Sequence, residues 1–169
     1  MQEYVDWLCD NGYWFGPELA KHELTSADFD DYWKWLAETN HDDFEKSQHD
    51  YIKYAYYDPA VQILADAGWH IEKHSEVMKD VVWSRAVQYG IGNIKEMWED
   101  AVHQMWNVND GAYTGYPNLS YIDDASFDYD LIYAIYLLVC SSYEWNSSSL
   151  RESLNLRFAN ECNEALARL

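Results

Sequence analysis

Trp83-Ser84-Arg85-Ala86-Val87-Gln88-Tyr89-Gly90 closes a run that opens at Ser75, and this run decides the fold. Ser75 is a good helix cap. Lys79, Val82, Ala86 and Tyr89 follow at three- and four-residue spacing, and Gly90 is a natural stop. Downstream, Gly92-Asn93 restarts the chain into Ile94, Met97, Trp98, Ala101, Val102 and Met105, one apolar face of a second long helix.

The same pattern extends in both directions. Thr25 or Ser26 caps a helix carrying Phe29, Trp33 and Leu36, and Asp42-Asp43 starts another with Phe44, Tyr51, Ile52 and Ala55 inward. Asp58-Pro59 reads as a cap followed by proline in the first turn, and Ala67-Gly68 ends that helix. Leu131, Ile135 and Leu138 mark a strongly buried helix. After Ser147-Ser148-Ser149, the residues Leu150, Leu154, Phe158, Cys162 and Leu166 repeat every four positions. Between Asn107 and Asp124 the period breaks. Gly111, Tyr113, Gly115, Tyr116 and Pro117 there predict a turn-rich aromatic loop. The expected fold is all-α, a single domain over 1–169 with about seven to eight helices.

Composition narrows the function. The chain has 169 residues and is 49% hydrophobic, enough for a substantial core. Aromatic residues make up 17%, with nine Trp and fifteen Tyr, which suits packed helices, sugar clefts and protein interfaces alike. Eleven basic residues against thirty acidic ones give a formal charge of −19. Direct nucleic-acid binding, which needs cations to replace phosphate counterions, is excluded by that balance, and adsorption to anionic membranes is disfavoured. A basic protein partner remains compatible with it. Cys9, Cys140 and Cys162 are odd in number, without a pairing motif, and read as small core residues. Met1-Gln2-Glu3-Tyr4 has neither the basic nor the apolar region of a secretory signal, so the expected location is the cytoplasm of the producing cell. The longest apolar run, Leu131 to Cys140, is too short to span a bilayer.

Several residues carry candidate chemistry. Gln48 and Gln88 are amides that donate and accept at once, suiting sugar hydroxyl or N-acetyl recognition as well as helix-to-helix bridging. Asp50, between His49 and Tyr51, is the candidate catalytic carboxylate. Asp58 is more simply a helix cap. His70 and His74 stand four apart and could share a helix face, but no third ligand has a matching spacing and the zinc-protease pattern is absent. No metal or other cofactor is expected. Neither a strained Gly-flanked serine nor a phosphate loop is present.

Gln48-His49-Asp50-Tyr51-Ile52, Tyr56-Tyr57-Asp58-Pro59-Ala60 and Trp83 to Gly90, in this order and spacing, resemble the lysozyme-like domain of phage-associated proteins and of the C-terminus of VgrG3-type secretion spikes. Phe29, Trp33 and Leu36-Ala37 resemble the step ahead of these motifs. Tyr129 to Tyr136, and Leu150, Arg157, Glu161 and Leu166, resemble its closing helices; Arg157 and Glu161 are also spaced to pair on a helix surface. The resemblance implies a lysozyme-like helical fold, binding or cleavage of peptidoglycan glycan strands, and delivery with a phage or secretion apparatus. If the domain cleaves, the expected substrate cleft is lined by Gln48, Tyr51, Tyr57, Gln88 and Tyr89, the last often His in the family. The family's catalytic carboxylates lie upstream of these signatures, so the resemblance implies a domain shortened at its front. A reading of another class rests on charge: Asp28-Asp30-Asp31, Asp42-Asp43 and Asp123-Asp124-Asp128-Asp130 could mimic nucleic acid and inhibit a host defence nuclease, as an anti-CRISPR protein does. A third is a non-catalytic module that binds a protein partner.

Overall fold

The computed structural model describes residues 1–108 and 118–169, with the backbone alone of 106–108. Half of the expected aromatic loop, including Gly111, Tyr113, Gly115, Tyr116 and Pro117, lies outside the described residues. Among the described residues every regular element is helical, as the periodicity predicts. Eight α-helices among the described residues have nine residues or more, and α2 is a single turn. Contacts divide the chain into two compact units, Met1–Ala55 and Tyr56–Leu169.

The first unit contains α1 (Gln2–Asp10), α2 (Gly16–Leu19), α3 (Ala27–Thr39) and α4 (His41–Ile52). Ser26 caps α3, its hydroxyl accepting the Phe29 N–H at 3.2 Å, which satisfies one of the donors left open at a helix start. Tyr4, Val5, Leu8, Phe15, Leu19, Phe29, Leu36 and Phe44 form the core. Much of it is ring on ring: Trp33 meets Phe44 edge-on at 4.7 Å, and Tyr4 meets Tyr51 at 5.1 Å. Each such pair adds about 1 kcal/mol beyond its buried area. Tyr4 reaches across to α4, where its hydroxyl lies 2.6 Å from Ser47 Oγ, which in turn donates to the Phe44 carbonyl. Gly16 sits against the last turn of α1. A Cβ there would come within 2.9 Å of the Cys9 nitrogen and the Leu8 carbonyl carbon, so only glycine lets α2 lie this close.

The second unit contains α5 (Asp58–Asp66), α6 (Glu76–Tyr89), α7 (Ile94–Val108), α8 (Asp128–Ser141) and α9 (Arg151–Ala167). Ser75 caps α6, and Gly90 ends it at a φ of +82°, as read from sequence. The apolar face of α7 is buried from Ile94 through Met105, and α8 packs between α7 and α9. Trp69 and Trp98, both fully buried, meet edge-on at 5.8 Å.

Four expectations need correction. Asp58 does not cap a fresh helix: Lys53–Tyr57 is π-helical and runs straight into α5. Pro59 has no N–H to give the carbonyl four residues back, and a widened turn absorbs that mismatch. Cys9 is exposed rather than a core residue, whereas Cys140 is half-buried and Cys162 buried, and all three are free thiols. Leu150, at the start of the last apolar repeat, is exposed as well. His70 and His74 do not share a helix face, because they flank the 3-10 turn Ile71–Lys73 in extended conformation.

Each of these histidines faces an aspartate. His74 lies flat on Trp69, ring centroids 4.0 Å apart, with its Nδ1 2.6 Å from Asp128 and its Nε2 3.6 Å from Asp123. Asp123 also accepts the His70 N–H at 2.6 Å, and bonds the His70 ring at 2.8 Å and the Lys73 ammonium. Burial alone would raise the Asp123 pKa. The Lys73 and His70 hydrogen bonds outweigh it and hold the carboxyl at about 2, against an ordinary 3.8. A folded-state value below the unfolded one adds stability that is complete above the unfolded pKa and lost as pH falls through the folded one. Asp123 therefore contributes about 2 kcal/mol at neutral pH, lost mainly between about pH 5 and 2. Acid titration followed by circular dichroism should show Asp123→Asn with lower stability at pH 7 and a flatter slope over that interval.

Candidate functional site

In the first unit, two helices bring partly exposed faces together. Glu3, Asp6, Trp7 and Asp10 on α1 recur at helical spacing, and so do Gln48, Tyr51, Ile52 and Ala55 on α4 and its continuation. Where they meet, two depressions share Tyr51. One, of about 300 Å³, is lined by Met1, Tyr4, Trp33, Gln48, Tyr51 and Ile52. The other, of about 380 Å³, brings the carboxylates of Glu3, Asp6 and Asp10 beside Trp7, Tyr51 and Tyr54. Trp7 stands 5.5 Å from Tyr51 and 6.0 Å from Tyr54, forming a cluster of rings with acceptors around it.

Gln48 and Tyr51 thus line one cavity. Asp50 lines neither. Its carboxylate accepts the Tyr13 hydroxyl at 2.7 Å and bonds Lys46. The Lys46 ammonium, with Tyr13 behind it, lowers the Asp50 pKa, while burial and the Asp50 carboxylate push Tyr13 up to about 12. An ionised Asp50 suits a nucleophile or a charge stabiliser better than a proton donor.

Tyr57, Gln88 and Tyr89 belong to the second unit. Tyr57 packs against Trp83 at 5.3 Å, and burial raises its pKa. Gln88 accepts a 2.6 Å hydrogen bond from Arg157. Tyr89 is half-buried, edge-on to Trp145 at 5.4 Å. Beside it lies a group that sequence reasoning missed. Arg85 is fully buried, its guanidinium carbon 4.8 Å from the Phe158 ring centre, 4.9 Å from Tyr136 and 5.6 Å from Tyr89. It donates to Ser84 at 2.9 Å and Glu161 at 2.8 Å. Glu161 pairs also with Arg157 at 2.9 Å, as their spacing predicts. The available signal was an arginine inside the apolar run Val81-Val82 to Ala86.

Asp100 on α7 was missed too. Burial, reinforced by Glu96, raises its pKa. In the first unit Tyr4, Trp7, Trp33 and Tyr54 went unrecognised as site residues. The helical spacing of Glu3, Asp6, Trp7 and Asp10 could have pointed to their face. Among the described residues no cluster of three or more His, Cys, Asp or Glu is arranged to hold a metal ion.

A family model described as type VI secretion system spike protein VgrG3-like, C-terminal, matches residues 14–161. Comparison with curated proteins gives no match. The matched segment covers α2 through most of α9, while α1 with its carboxylates and Trp7 precedes it. By the extent of that match, the chain belongs to the VgrG3-like C-terminal family of type VI secretion system spike proteins.

Proposed function

We propose that this protein binds the glycan strands of peptidoglycan through the α1–α4 face of its first unit. The carrying observation is the cluster of Trp7, Tyr51 and Tyr54 beside Glu3, Asp6 and Asp10. Sugar rings present apolar C–H faces that pack on aromatic rings, and hydroxyls at their rim that donate to carboxylates. The family agrees with a cell-wall target and with delivery by a secretion apparatus. No helix among the described residues is long and apolar enough to cross a membrane. Hydrolysis is a further step, and Asp50, which lines neither depression, is not placed to act on a strand bound there.

Co-sedimentation with purified peptidoglycan sacculi at physiological salt tests this reading. The protein should pellet with the sacculi. Tyr54→Ala should weaken retention about tenfold, in line with the loss of one well-packed aromatic contact. Tyr54 is 60% exposed, so the variant leaves the core intact. New reducing ends in the supernatant would add hydrolysis to binding. A chain that stays in solution with wild-type sequence would overturn the proposal.

A further inference from the structure

The smaller depression differs chemically from its neighbour. Its walls are Tyr4, Trp33, Tyr51, Ile52 and Met1, and no carboxylate lines it. The Tyr4 hydroxyl is occupied by Ser47. Gln48 is half-buried, and among the described residues its amide has no hydrogen-bond partner. A cavity of about 300 Å³ is at the small end of ligand sites, which are mostly apolar with a few convergent polar groups.

From this geometry we infer that the Gln48 cavity is a pocket for the acetamido group of an N-acetylated sugar, an inference that rests on the glycan-binding reading. An amide without a partner in an apolar setting is matched best by another amide. Its carbonyl oxygen takes an N–H from the ligand, and its NH₂ donates to the ligand's carbonyl. The acetyl methyl meets Trp33, Tyr51 and Ile52. A free amine would bring a charge into a cavity with no carboxylate to pair it, at a large desolvation cost. A simple hydroxyl would leave the apolar walls unfilled. Glu3, Asp6 and Asp10, beyond the shared Tyr51, take the hydroxyls of the same strand.

Calorimetric titration with two uncharged tetrasaccharides tests the pocket. Chitotetraose carries acetamido groups and cellotetraose carries hydroxyls in their place, so the protein's charge of −19 does not separate them. Chitotetraose should bind at least about tenfold more tightly, the worth of roughly one buried hydrogen-bonded group. Gln48→Leu should remove that preference, and an unchanged circular dichroism spectrum shows that the variant folds. Equal affinity for the two sugars, or an equal loss for both in Gln48→Leu, overturns the pocket and leaves the glycan-binding reading standing. Retention on sacculi without chitotetraose preference has the same meaning. Failure to bind either sugar or sacculi overturns both.

Discussion

Arg85→Ala is expected to destabilise the protein by about 3–4 kcal/mol, seen as a large fall in the urea midpoint with the slope unchanged. The magnitude comes from packing more than from charge. Arg85 is among the largest fully buried side chains, and three aromatic rings surround its guanidinium. Its Nε and Nη1 have no hydrogen-bond partner among the described residues, so ring faces are what these donors meet. Truncation removes the stem, the cation–ring attraction and the filling of the space they occupied. Glu161 is not stranded by it, because Arg157 still holds its other oxygen. Glu161→Gln should accordingly cost only about 1 kcal/mol. Equal losses in Arg85→Ala and Glu161→Gln would show that the ion pair, not the aromatic cage, is the source of stability.

His74→Leu is expected to cost a comparable 3–5 kcal/mol, for a different reason. The side chains of His74 and Asp128 are 0% and 2% exposed, and they meet at 2.6 Å. Burial alone would raise the Asp128 carboxyl, but His74 and the Ser75 N–H outweigh it and keep the pKa below the usual value. Without the imidazole, a buried carboxylate keeps, among the described residues, its hydrogen bonds with Ser75, whose N–H lies at 2.8 Å. A leucine fills the volume against Trp69 yet cannot satisfy that charge. His74→Leu combined with Asp128→Asn should recover most of the loss. A double-mutant cycle measures the coupling directly, and additive losses would overturn the assignment.

Much of the fold could be read along the chain because its signals are local. Ser26 and Ser75 announce their helices through hydrogen bonds made three residues away. Gly90 ends α6 through its own backbone freedom. The apolar face of α7 needs only spacing. Where the reading failed, the deciding partner was distant or the signal was double-edged. Cys9 and Leu150 fit helical periodicity, but periodicity does not say how deep a helix end is buried. His70 and His74 look like a ligand pair until Asp123 and Asp128 arrive from far downstream. Gln48 and Tyr51 share a helix face, which their three-residue spacing already gives. The walls opposite them, Tyr4 and Trp33, depend on how α1 and α3 dock, which no single stretch of sequence encodes.

Gly16 illustrates how that docking bears on mutational data. With no room for a Cβ beneath Leu8 and Cys9, any larger residue must displace α1, the helix that carries Tyr4 and Trp7 to the two depressions. Under the glycan-binding proposal, this position would rank beside the aromatic walls in a saturation screen scored by glycan retention, although Gly16 lines neither depression. A map of binding losses drawn without a parallel map of folding losses would count it as recognition, when what Gly16 sets is the spacing between α1 and α2.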